Sequence, residues 1–365
     1  MVDIRGSLYP YLPYAAAVVL LAVICLVCSG CYTLTQGFTL LGYLGRAIPL
    51  EKLETLETPE DRAEEAETRR FVGRVRDIRR FAMEELGLKE SANYTKYVEL
   101  DRNYLAAVVS AAEADSFTRH EWWFPVVGRM PYKGFFKAED AGKEREKLQK
   151  KGLDVWVRGV DAFSTLGWFK DPLYSYMRDY PDYRLADLLI NELFHATVYL
   201  KNQSQFNEEL AEFVGTEGAR LYIERTYGGE SPEYRALDDS EADNRAYIAY
   251  LRGLIAELEE LYRSGVSREE KLAQKAEIIA GSQERFERDY DTLFKSGSYR
   301  GFSELPVNNA YLDLYRLYYE GNSFYRDLYE KSGGDLPRYI AAAKTLNSRE
   351  KDPREALARA LTPRS

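Results

Sequence analysis

Asn191-Glu192-Leu193-Phe194-His195 is the stretch whose spacing decides how the rest of the chain is read. Leu185, Leu188, Glu192, His195 and Tyr199 recur at steps of three and four, which predicts one face of a helix over about 183–200. That face mixes apolar residues with a carboxylate and an imidazole, and such groups are costly to bury unless they are paired or bound to a metal. Asn191 lies one turn before His195, so its side chain can point to the same spot. A second helix over about 205–225 opens with Phe206-Asn207-Glu208-Glu209-Leu210-Ala211-Glu212. Glu208, Ala211, Gly215 and Ala219 share a face there, and the small residues let another helix approach closely. Glu208 is then expected at the crossing, buried and within reach of His195. Glu209 and Glu217 are expected as solvated charges.

Outward from these two helices, the spacing of Phe71, Val72, Val75, Ile78 and Phe81 predicts an amphipathic helix over 61–88. A further helix is predicted over about 94–114. Trp122 to Gly128 and Tyr132 to Phe136 are aromatic and β-branched runs broken by Gly and Pro, which predict short strands. A charged helix follows over 139–151, then a strand over 154–160 and a loop over 164–173. The highly charged stretch 240–296 has helical spacing and a break near Gly265, the pattern of a long helical hairpin. Final helices are predicted over 308–331 and 335–346. The fold class is therefore α+β and mostly helical, with a small β element.

The amino-terminal segment reads as an address. Ala15 to Val27 is an almost pure apolar run, preceded by Arg5 and ended by Cys28-Ser29-Gly30-Cys31. A short apolar run followed by small residues is the pattern of a secretory signal. It is shorter than the roughly 20 residues that cross a bilayer comfortably, although a plain membrane helix is the alternative. The residues before Cys31 resemble a lipobox, which implies cleavage after Gly30 and a lipid on Cys31. The expected organisation is a signal peptide over 1–30, a tether over 31–60, a folded domain over 61–347 and a polar tail over 348–365. The expected location is the bacterial cell envelope, lipid-anchored, with the domain facing the periplasm or the exterior.

Composition narrows the chemistry. A net charge of -9 removes the basic footprint of a nucleic-acid binder. All three cysteines, Cys25, Cys28 and Cys31, precede the domain, so it has neither a disulfide framework nor a cysteine-ligated metal site. Only His120 and His195 are available to any imidazole-based site, and His120 reads as a surface residue beside an aromatic cluster.

The two central helices resemble the zincin peptidases, in which one helix bears HExxH and the next supplies a glutamate. Trp123 to Gly128, Ser164 to Phe169, Asp171-Pro172-Leu173, Phe206-Asn207-Glu208, Asn308-Asn309-Ala310 and Gly333 to Arg338 extend the likeness. Together they resemble a bacterial family of zinc aminopeptidase lipoproteins over nearly the whole chain. The resemblance implies zinc held by His195 and Glu208, Glu192 as general base, Glu212 supporting a ligand, and a peptide substrate. It places a histidine where this chain has Asn191, so its HExxH is written NELFH. Three outcomes stay open: Asn191 binds through its oxygen; Glu192, Glu212 or His120 completes the metal shell; or the site is metal-free and the domain binds peptides or serves as an envelope scaffold.

Overall fold

The computed structural model describes residue 32 and residues 36–53, 62–124, 128–161, 171–317 and 322–362. Cys31, the signal segment and the Ser164–Phe169 rim expected from the sequence lie outside them. Helix α1 covers 36–45. It is followed by β1 (Ile48–Pro49), α2 (Leu50–Leu53), α3 (Arg62–Glu84), β2 (Lys96–Val98) and β3 (Ala106–Glu113). Next come β4 (Trp122–Phe124), β5 (Gly128–Met130), β6 (Tyr132–Phe135), α4 (Ala138–Gln149), β7 (Leu153–Val160) and β8 (Leu173–Tyr174). The remainder is helical: α5 (Asp182–His195), α6 (Ser204–Tyr227), α7 (Pro232–Arg263), α8 (Arg268–Leu293), α9 (Asn309–Leu317), α10 (Asn322–Lys331), α11 (Leu336–Ala343) and α12 (Pro353–Leu361). Among the described residues the chain is thus mostly helical with three small sheets, an α+β arrangement.

The helix predicted over 94–114 is not there. β2 pairs with β1 and β8, and β3 is the central strand of a sheet ordered β6-β3-β7, antiparallel to both neighbours. β3 is buried along Ala106–Ala112. Ala107, Val109 and Ala111 pack with Ala141 and Leu148 of α4, while Ala106 belongs to the main helical core. A strand covered on both sides loses its alternation and reads as a continuous apolar run, which its alanines disguise as helix.

The main core gathers α3, α5, α6 and α10–α12 around Phe71, Val75, Leu189, Leu193, Leu210 and Val214. The hairpin α7–α8 has its own apolar seam, with Leu251, Leu254, Leu258 and Phe286. Ser231 caps α7 at Tyr234 N, and Ser267 with Glu270 forms a capping box on α8, so the chain stops and restarts around Gly265. Two sequence expectations change at the chain's edges. Residues 353–361, expected in a polar tail, form α12, whose Leu357 and Leu361 lie in the main core. Within the expected tether, Tyr43 and Leu50 are buried in that core too.

Candidate active site

α5 is fixed at its start by Arg74 of α3, which donates to Asp182 at 2.6 Å and to the carbonyls of Tyr180 and Arg178 at 2.9 and 2.8 Å. Its apolar side, Leu185, Leu189, Ile190, Leu193 and Phe194, is fully enclosed. The helix ends at His195, so Tyr199, expected on its face, lies in the following loop and is exposed.

α6 returns antiparallel along α5, and two glycines set the distance. A Cβ on Gly215 would stand 2.8 Å from Asp187 Oδ1 and 2.9 Å from Asn191 Cβ. One on Gly218 would stand 2.9 Å from Ile190 Cγ2. Asn207 holds the connection: its Oδ1 accepts from Leu200 N at 2.9 Å and its Nδ2 donates to Leu200 O at 2.8 Å. This clamp delivers Glu208 to the end of α5.

His195 Nε2 lies 3.7 Å from Glu208 Oε2. The two residues differ in exposure: the imidazole is 3% exposed and the carboxylate 70%. Glu208, expected to be buried, is instead the solvent-facing half of the pair. Burial lowers the His195 pKa to about 4, so the ring is neutral at pH 7. Its Nδ1 is buried without a hydrogen-bond partner among the described residues. Desolvation by the adjoining protein raises the Glu208 pKa.

Asn191, Glu192 and Glu212 are all half-buried. Asn191 packs over Gly215, between His195 and Asp187 along the helix. Glu192 lies close enough to the buried Tyr94 that, after burial itself, its charge is the leading cause raising that phenol's pKa. Tyr94 takes a left-handed backbone (φ 58°) and donates its N–H to Asp171 O at 2.7 Å. Among the described residues no three His, Cys, Asp or Glu side chains converge as a metal cage. His120 packs edge-on against Trp122 at 4.6 Å, as a histidine beside an aromatic cluster.

Asp187 was missed by sequence reasoning. It stands four residues before Asn191 and eight before His195, so the four-residue step carried one turn further would have found it. Thr216 donates to its Oδ1 at 3.3 Å. Although the residue keeps partial exposure, crowding by the surrounding protein raises its pKa to about 7, with Glu241 adding to the effect.

Glu209 and Glu217 are not the solvated charges expected. Glu209 accepts two hydrogen bonds from Arg354, at 2.9 and 2.7 Å, and one from Tyr325 at 3.0 Å. Glu217 is buried and paired with Arg326 at 2.5 Å. Helix α6 packs against α3, α5, α7, α10 and α11, and these two charges meet partner side chains rather than water alone.

The family described as Putative aminopeptidase matches residues 32–357 of the chain. No curated protein and no solved structure matches it.

Proposed function

The chain belongs, over residues 32–357, to the family described as Putative aminopeptidase, and from that premise we propose that it is a peptidase of aminopeptidase type, anchored to the bacterial envelope through Cys31. The observation that carries the reading is the α5–α6 crossing, which brings His195 Nε2 to 3.7 Å from Glu208 Oε2 at the end of the helix that also carries Asn191 and Glu192.

Zinc is the cofactor the motif implies, and the pair can be tested against it. Two ligands at ordinary zinc distances around a tetrahedral ion stand about 3.4 Å apart, close to this spacing. A neutral imidazole is the form that binds. The pair therefore fits two positions of a zinc shell. The third falls to Asn191, whose carboxamide oxygen is a weaker donor than an imidazole. A bound zinc would polarise the scissile carbonyl and ease ionisation of the attacking water. In this reading Glu192 takes the proton from that water and passes it to the leaving amine. Glu212, one turn after Glu208, orients that carboxylate.

The changed ligand favours a second reading, a peptide-binding envelope protein without hydrolysis. The experiment is zinc content and aminoacyl-peptide hydrolysis for the wild type, Glu192→Gln and Asn191→His. Zinc near one equivalent, with hydrolysis lost in Glu192→Gln, supports the peptidase. An inert, zinc-free wild type overturns the peptidase and leaves the binding reading, and gain of both properties in Asn191→His then marks Asn191 as the cause.

A further inference from the structure

Helix α6 begins without a cap: Gln203, at its N-cap position, makes no side-chain hydrogen bond to the first turn. The opening N–H groups of a helix have no partner within it, and a start left uncapped frays. Glu208 is the fifth residue of α6 and makes no hydrogen bond of its own among the described residues. The backbone around it therefore decides where its carboxylate stands.

That backbone is held from the far end of the chain. Lys201 N, in the α5–α6 connection, donates to Ser348 Oγ at 2.8 Å. Glu209, next to Glu208, takes both hydrogen bonds of Arg354 and that of Tyr325, whose ring is fully buried in the main core. Gln205 Nε2 donates to Glu209 Oε1 at 2.9 Å and ties the first turn to the same carboxylate. Arg354 serves its own helix poorly. It is the second residue of α12, behind the Asp352 cap and Pro353, at the positive end of the helix dipole, where a cation is disfavoured. Its contacts are with α6 and α10: besides Glu209, its guanidinium carbon lies 5.7 Å from the Phe324 ring centre and 5.9 Å from that of Tyr325.

We propose that Arg354 is a positioning residue, which grips Glu209, holds the uncapped start of α6 and so fixes Glu208 against His195. The inference rests on the role proposed above for that pair. Asn207 is clamped to Leu200 on the other side of Glu208, so the residues flanking the carboxylate are both pinned. One is held by the α5–α6 connection and the other by the carboxy-terminal helix.

The test uses the full chain with 15N-labelled histidine. The sequence has only two histidines, so the ring spectrum reports His195 with His120 as internal reference. Glu208→Gln, without metal at pH 7, shows where the His195 signals go when the neighbouring charge is lost. Arg354→Met should move them toward that place and leave His120 unmoved. Arg354→Lys, which keeps the charge without the two-pronged grip, should fall between wild type and Arg354→Met. Adding Glu209→Gln to Arg354→Met should move them no further. If the wild type takes up zinc, Arg354→Met should bind it about tenfold more weakly in competition with a chelator. Leu361→Ala, which removes core packing at the other end of α12, should lower the melting temperature and leave ring signals and zinc affinity unchanged. His195 signals that keep their wild-type place in Arg354→Met overturn the positioning role while the pair stands. Equal effects of Leu361→Ala and Arg354→Met overturn it too, since the contact then acts only through stability. If Glu208→Gln itself leaves His195 unmoved, the pair fails and the inference with it. A zinc-free wild type overturns the metal reading alone, and the ring signals still decide on Arg354.

Discussion

Gly215→Ala tests the helix crossing on which the site depends. In an exposed helix interior, replacing glycine by alanine gains about 1 kcal/mol of backbone propensity. Gly253, inside α7, has nothing within 4 Å of the place an added methyl would occupy, so Gly253→Ala should show that gain. At Gly215 the added methyl meets Asp187 Oδ1 at 2.8 Å, Asn191 Cβ at 2.9 Å and the Asp187 carbonyl oxygen at 3.0 Å. The first is the end of a side chain and can swing, but the other two move only with α5 itself. Overpacking of this kind costs roughly 1–3 kcal/mol, which offsets the propensity gain and leaves a net loss of about 1 kcal/mol. The two variants should therefore differ by about 2 kcal/mol, or roughly 3 °C in melting temperature for a chain of this size. Differential scanning calorimetry of both, against wild type, measures it. If Gly215→Ala melts at or above Gly253→Ala, the helices have room to spare and the two glycines do not set their distance.

Two further predictions follow from buried charge. Glu217 is enclosed, whereas its partner Arg326 is partly exposed, so Arg326→Met should cost about 3 kcal/mol by stranding a buried carboxylate. Glu217→Gln should cost less, because the freed guanidinium can reach water; denaturant midpoints of the two variants decide the order. For pH, the folded His195 pKa of about 4 lies below the ordinary value of 6.5. Between those values the unfolded chain binds the extra proton, so this residue's contribution falls as pH drops from 6.5 to 4, by up to roughly 3 kcal/mol. Asp187 acts with the opposite sign. Its folded pKa of about 7 lies above the ordinary 3.8, so its contribution is lost as pH rises from 3.8 to 7. Asp187→Asn should therefore gain stability relative to wild type as pH rises, and melting curves of the two proteins across pH 4–8 show it.

Much of this was legible because its signals are local. The four-residue step on α5, the small residues on α6 and the break near Gly265 are each read within one or two helical turns. What failed depended on distant partners. β3 reads as helix because its coverings, α4 and α9, come from later in the chain. Glu209 reads as solvated because Arg354 lies 145 residues away, and Glu217 because Arg326 lies 109 away. α12 reads as a tail because its few apolar residues count only once the main core exists to receive Leu357. Glu208 failed the other way: its small-residue neighbours mark the crossing, but its own side chain, near the start of α6, stays at the solvent edge.

His195 differs from the enclosed charged groups Glu217, Lys275, Asp313 and Asp243 in how it is satisfied. Glu217 has Arg326, Lys275 has Asp154, Asp313 has Arg119, and Asp243 accepts from the backbone of Lys295 and Ser296 at 2.8 Å each. The imidazole has an Nδ1 with no partner among the described residues and an Nε2 whose Glu208 neighbour, at 3.7 Å, lies beyond hydrogen-bond reach. An unsatisfied buried polar group costs about 1–3 kcal/mol, and a leucine of similar volume would remove that cost. Packing alone gives no reason for a histidine here, whereas an ion or substrate group between Nε2 and Glu208 does. His195→Leu at pH 7 should therefore leave the melting temperature unchanged or raise it, while zinc content or peptide binding, whichever the wild type has, disappears. A variant that unfolds by several kilocalories per mole would instead make the imidazole a structural residue and remove the basis for a site at this crossing.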